Sequence, residues 1–330
     1  MKRTKGVLAM EGLEALTTLP TPLAEICAEV ETSAGDVLTQ IDNVQEGEAI
    51  AETVNAIDAV IDLSVQRGQG LDDVAARITN AALENFYHRL GYKPVLGRGK
   101  VALEGLGTPE SRLAVTKVAL EQIGQFRTQL VKSLKIAREA MEAAVDEHLD
   151  EASDTASDMA KHAKSAASAF KSKGKAEELI AGGNWAAPLG VFKEGITTSE
   201  EVCERLKEIK DKLEGVSISS VVAGTADADG MKKFQNAVKD VAQLTSGDGV
   251  AEAQFSPLDP KDLDAIVNFN AAFAADVQAL GKDAGDKKKE DGKDEEKADE
   301  TVLRDLVTLS AILTKLVTAI CEYIERSTAK

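Results

Sequence analysis

Aromatic side chains make up only 4% of this 330-residue chain, which has a single tryptophan, seven prolines and three histidines. That scarcity, beside much Ala, Leu, Glu, Lys and Val, points to helices packed through small and aliphatic side chains. The cysteines, Cys27, Cys203 and Cys321, are odd in number and far apart. This excludes a disulfide framework and a zinc spacing and leaves buried, reduced thiols as the expectation. Basic residues are short: 39 against 56 acidic, net −17. Nucleic-acid binders gain affinity by neutralising phosphates, so non-specific DNA binding by the whole chain and a tight packing role are disfavoured, and no specific nucleic-acid partner is assigned. No apolar run approaches the roughly 20 residues that span a bilayer. The basic start, Met1 to Met10, loses its apolar core at Glu11, too soon for a signal peptide, which points to the cytoplasm.

The patterns of catalysis are also missing. There is no Ser-His-Asp arrangement, P-loop, paired dinucleotide glycines or Cys-x-x-Cys. Gly97-Arg98-Gly99 is half of a glycine fingerprint, without a strand before it or a Lys-Ser/Thr after it. His162 follows Asp158 by four residues, a spacing that can hold a metal but more often marks a solvated helix face. No catalytic, cofactor-binding or metal residue is assigned, and the chain is read as a non-enzyme without cofactors.

What is present is helical periodicity. From about 23 to 90, Val44, Ile50, Val54, Ile57 and Ile61 recur at helical spacing between carboxylates. After a break at Gly68–Gly70, Leu71, Val74, Ile78, Ala81, Ala82 and Phe86 form a second face. Thr108-Pro109 starts a third helix, with Thr as N-cap, Pro at the first helical position and Glu110 near the positive dipole end. It runs to about Lys171. Its seam is Leu113, Thr116, Leu120, Ile123, Arg127, Leu130, Leu134, Ala137, Met141 and Ala144, widened by Phe126, Val131 and Val145. Past Leu149 the seam thins to Ala and Ser, which bury little area, so this half is expected to be the less stable.

Gly182 to Pro188 breaks the pattern, with Trp185 as a turn anchor. Thr198–Leu213, Met231–Leu244 and Pro260–Leu280 read as helices, and Val216–Val222 (V-S-I-S-S-V-V) as a short β element. Residues 281–300 are a charged, low-complexity linker without the apolar surface to offset ordering entropy. The last helix, 301–330, has the most apolar face of the chain: Val302, Leu306, Leu309, Leu313, Leu316, Val317, Ile320 and Ile324. The fold class is mainly α, an elongated helical bundle with a long central helix.

One short segment stands apart. Ala102-Leu103-Glu104, a strongly helix-forming triplet, lies among Gly97, Gly99, Gly105 and Gly107. Proteases bind substrates as extended strands and cut at mobile tips, so this is a candidate cleavage site. Ala9-Met10-Glu11, Ala82-Leu83-Glu84 and Ala119-Leu120-Glu121 have the same form. The last two fall within expected helices, where a protease cannot enter.

The run from Ala102 to Gly124, A-L-E-G-L-G-T-P-E-S-R-L-A-V-T-K-V-A-L-E-Q-I-G, resembles internal head (prohead core or inner-body) proteins of large contractile-tailed bacteriophages. In that family an acidic helical propeptide ends in a small-x-Glu site. A segment of the type R-L-x-x-T-x-x-A-L-E-x-I follows, carried here by Arg112, Leu113, Thr116, Ala119, Leu120, Glu121 and Ile123. The resemblance implies cleavage by the phage prohead protease between Glu104 and Gly105 and partnership with scaffold or other core proteins of the procapsid. It places the chain in the host cytoplasm during assembly and inside the capsid afterwards. It divides the chain into an acidic helical propeptide, 1–104, and a mature part comprising 105–280, the linker and the last helix. The long helix lacks the Trp and Lys common in the family, which removes support for membrane or DNA contact. The seam is compatible with a homo-oligomer. The mature part could leave the head with DNA, its thin Ala/Ser seam unfolding at low cost. An unprocessed cytosolic helical or coiled-coil scaffold or adaptor explains the periodicity and acidity equally well.

Overall fold

The computed structural model describes residues 23–89, 107–179, 190–192, 196–246, 255–282 and 300–329. Among these the chain is helical: α1 (Leu23–Gln66), α2 (Asp73–Arg89), α3 (Pro109–Lys173), α4 (Ser199–Leu213), α5 (Ile218–Val222), α6 (Ala228–Thr245), α7 (Leu263–Lys282) and α8 (Glu300–Arg326). A 3-10 turn covers Gly190–Phe192. The long central helix and the C-terminal helix are both present as the periodicity requires. Two compact units result. One is Asp36–Val145. The other combines the described residues of Met1–Gly35 with those of Asp146–Lys330. Helices α1 and α3 each supply residues to both.

The Asp36–Val145 unit is built by turns and caps that the sequence encodes. Helix α1 ends where Gly68 takes φ 69°, its N–H bonded to the Val65 carbonyl at 2.9 Å. Gly70 has φ 66°, and a Cβ there would lie 2.6 Å from the Arg112 carbonyl carbon, so only glycine lets the turn reach α3. The next residue, Leu71, donates its buried N–H to the Thr116 hydroxyl at 2.9 Å. Asp72 caps α2 by accepting from the Ala75 N–H at 2.7 Å. Thr108 caps α3 through the Ser111 N–H at 3.3 Å. Ile50, Val54, Ile61, Leu71, Leu83 and Phe86 then meet Ala119, Ile123 and Leu130 in one core.

The seam on α3 differs from a strict heptad. Val131 is exposed and Ala137 lies outside the buried line, which runs through Leu130, Met141, Val145 and Leu149. A straight helix drifts about 20° per heptad from a seven-residue repeat, so the buried stripe leaves the sequence seam. Val60, Leu63, Val74, Ile78, Val118 and Ile136 of the same unit are also exposed.

The second unit is organised by α8, of which fifteen residues are buried, among them Leu313, Leu316, Val317 and Ile320. This helix is long and apolar enough by composition to cross a membrane, with mean hydropathy 1.5 over its most apolar window, but 78% of that window is buried inside the fold. The run is therefore longer than the sequence reading allowed. Around it, Ala152, Ala156, Ala163, Ala166 and Ala167 line the buried side of α3. Phe192, Phe255 and Tyr323 form a triangle of edge-on rings with centroids 5.3 to 5.8 Å apart. The Tyr323 hydroxyl donates to the Ser256 carbonyl at 3.1 Å.

Two local expectations are corrected. Residues 216–222 form no strand: Ile218–Val222 is the short helix α5, packed through Ile218, Val221 and Val222 onto helices. Its β-branched residues have no strand to pair with, and burial overrides their propensity. Gly281, assigned to the linker, is a buried residue of α7, and its missing Cβ admits the Leu149 carbonyl (3.0 Å from an ideal Cβ). Lys282 also belongs to α7 and Glu300 opens α8, while Trp185 and residues 283–299 lie outside the described residues. Elsewhere, α4 has a full capping box, Thr198 with Glu201, whose carboxyl is held below its usual range by the Thr197 and Thr198 N–H groups.

Three substitutions test this construction in thermal or urea melts. Leu316→Asp or Ile320→Asp places a carboxylate at a fully buried position and is expected to cost several kcal/mol, about 3 or more. Thr116→Val keeps the shape but orphans the Leu71 N–H, for an expected loss of about 1–3 kcal/mol.

Candidate functional site

The candidate cleavage residues Ala102, Leu103, Glu104 and Gly105 lie outside the described residues, between the last turn of α2 and the cap of α3. The flanks are described. On one side α2 is anchored by Leu83, fully buried, and Phe86. On the other, Gly107, Thr108, Pro109 and Glu110 are all exposed. The competing triplets are closed to a protease. Leu83 of Ala82-Leu83-Glu84 is buried within α2, and Ala119 of Ala119-Leu120-Glu121 is buried within α3. An extended-strand substrate would require unfolding either helix.

The side chains able to carry chemistry are engaged in packing. His148 sits on the buried stripe between Val145 and Leu149. Its Nδ1 is 3.0 Å from the Ser33 hydroxyl and its Nε2 3.0 Å from that of Ser310. Ser310 donates to the Val307 carbonyl at 2.9 Å, so its oxygen accepts from Nε2–H, and Ser33 donates to Nδ1. A neutral imidazole satisfies both bonds. Burial pushes its pKa below 6.5.

His162 does not lie on a solvated face. Its side chain is 11% exposed and its Nε2 lies 2.5 Å from Glu325 Oε1 on α8. The Glu325 hydrogen bond raises its pKa. Asp158 instead pairs with Lys161 at 2.9 Å. No group of three His, Cys, Asp or Glu suited to a metal occurs among the described residues.

Cys321 is buried, whereas Cys27 and Cys203 are half-buried, and all three are free thiols. Burial raises the pKa of each, to about 11 for Cys27 and Cys203. A thiol held protonated is a poor nucleophile.

Two depressions on the Asp146–Lys330 side offer little chemistry. One, between α3 and α7, is lined by Ser157, Ala160, Lys164, Ala271, Ala275 and Gln278. The other lies at the start of α6. There Asp227 caps the Gly230 N–H at 2.8 Å, Asp229 pairs with Lys233 at 2.7 Å, and the Ser217 and Ser220 hydroxyls bond each other at 2.6 Å. The polar groups at this second site are spent on one another. Sequence reasoning missed the Ser33–His148–Ser310 bridge. Its signal was the position of His148 on the apolar stripe, where a solvated residue is out of place.

The two histidines make opposite contributions to stability with pH. The folded pKa of His148 is depressed, so stability is lost as pH falls below about 6.5. That of His162 is raised, so its contribution is present below about 6.5 and lost as pH rises through the folded value. In urea melts between pH 7.5 and 5, His148→Gln should lose midpoint less steeply on acidification than the parent, and His162→Gln more steeply. Equal slopes in all three proteins would contradict both assignments.

No known family model, curated protein or solved structure matches this chain.

Proposed function

We propose that this chain is a non-enzymatic internal head protein of a contractile-tailed bacteriophage. On this reading residues 1–104 bring it into the procapsid core, the prohead protease cuts between Glu104 and Gly105, and residues 105–330 stay inside the capsid. The observation that carries the reading is the contrast among like triplets. Ala102-Leu103-Glu104 stands among glycines between two helices, whereas Ala82-Leu83-Glu84 and Ala119-Leu120-Glu121 are locked inside α2 and α3. The acidic balance of both pieces, −7 for 1–104 and −10 for the remainder, fits a protein that neither condenses DNA nor is held by it.

A second reading, an unprocessed helical scaffold or adaptor, is favoured by one observation. Residues 36–89 share a core with α3, so the proposed propeptide is not an appended module.

Mass spectrometry of the protein from its native source separates the two. The first reading expects an N-terminus at Gly105, and full-length protein when Glu104→Gln is introduced. Uncut protein, with peptides spanning Glu104–Gly105 and no N-terminus at Gly105, would sink it. If the mature part leaves the head with DNA, emptied capsids should lack it.

A further inference from the structure

Within the Asp36–Val145 unit, α3 faces α1 and α2 through Ala119, Ile123 and Leu130, and Phe126 and Leu134 pack against the same core. The approach of α1 is close: an ideal Cβ on Gly47 would lie 2.5 Å from Leu134 Cδ2. Charge pairs flank the apolar strip. Arg138 of α3 bonds Glu48 of α1, and Arg127 bonds Asp58 at 2.8 Å. At the turn, the Leu71 N–H is held by Thr116. Each of these contacts is non-covalent and none involves residues 90–106. The first turns of α1 are held separately, by Ser33 on His148 and Glu31 on Lys315 of α8.

We propose that the α3 face from Thr116 to Arg138 is a docking surface for an acidic pair of amphipathic helices. In the intact chain its own α1 and α2 fill it. After a cut between α2 and α3 the N-terminal piece stays docked. Apolar burial does not depend on chain connectivity. What the cut removes is the effective concentration that comes from having both pieces in one chain. The contact therefore becomes bimolecular, and the N-terminal piece of one copy can replace that of another. The surface discriminates by charge: two guanidiniums on α3 face the carboxylates of Glu48 and Asp58, so a basic helix is disfavoured. The proposal rests on the processing reading in one respect, that a cut after Glu104 is the event that makes the contact exchangeable. Cleavage then leaves the α3 face covered, and uncovering it needs exchange or destruction of the N-terminal piece.

The test replaces Ala102–Gly105 in the full chain with the recognition sequence of a site-specific protease and cuts it to completion. The pieces should elute together at micromolar concentration with unchanged helicity, and separate on dilution. Two cut preparations carrying different N-terminal tags should exchange tags on mixing. Arg138→Glu should raise the concentration at which the pieces separate by about tenfold, and adding Glu48→Arg should recover part of it, a recovery that a general folding defect would not show. Separate elution of the parent pieces with 105–330 still helical would overturn the proposal. So would an Arg138→Glu effect that Glu48→Arg leaves unrelieved. Absence of a native N-terminus at Gly105 would remove the processing reading and leave the co-elution result standing.

Discussion

Helix α8 has an apolar face too wide for one partner helix, and covering it dictates the Asp146–Lys330 unit. Val307, Leu313, Leu316, Val317 and Ile320 are all fully buried. At roughly 25 cal/mol per Å² of apolar surface, this helix alone supplies a large share of the driving force. Leaving it exposed would invite membrane insertion or aggregation. The fold packs it against α7 and α6, joins it to α3 through His148 and His162, and to the first turns of α1 through Lys315 and Glu31. Its buried hydroxyls show how tightly this is done. Thr318 turns back to the Thr314 carbonyl at 2.9 Å, and Asn270 of α7 donates to the Val317 carbonyl at 2.7 Å.

The Asp36–Val145 unit works on a different balance. Among the described residues it has no aromatic triangle and fewer large buried side chains, and it leaves seven large aliphatic residues exposed. Its specificity comes instead from close backbone approach at Gly70, the Leu71–Thr116 hydrogen bond and the two Arg–carboxylate pairs. Such pairs add modestly to stability, but they fix which helix lies against which. The Ala-rich half of α3, expected to be the weaker part, belongs to the unit with the larger apolar core.

Much of this was legible in the residues. Thr108-Pro109 marked the start of α3, Gly68 and Gly70 the turn after α1, and the Val302–Ile324 face a helix that had to be covered, because each signal is local. The failures share a cause in tertiary context. The run 216–222 has strand propensity, yet neighbouring helices supply its burial. Gly281 looked like linker because the Leu149 carbonyl and Ser153 Cβ of α3, which give its missing side chain a purpose, lie far earlier in the chain. His162 looked solvated because Glu325 is distant in sequence. The candidate cleavage segment rests on a local signal, glycines around Ala102-Leu103-Glu104, and lies outside the described residues.

The bridge through His148 also sets a timetable. Ser33 is 115 residues from His148, which is 162 from Ser310. During synthesis the Asp36–Val145 unit has all its residues once the ribosome has passed position 145 and that stretch has cleared the exit tunnel. The opening turns of α1 gain His148, the partner of Ser33, almost as early, but not α8. Their hold on Ser310 and Lys315 must wait for the last helix to emerge. At translation speeds of about 5–20 residues per second that interval is roughly ten seconds or more. Through it the start of the chain is available to cellular chaperones or to other copies on the same message, and contacts of such long sequence separation close late and slowly.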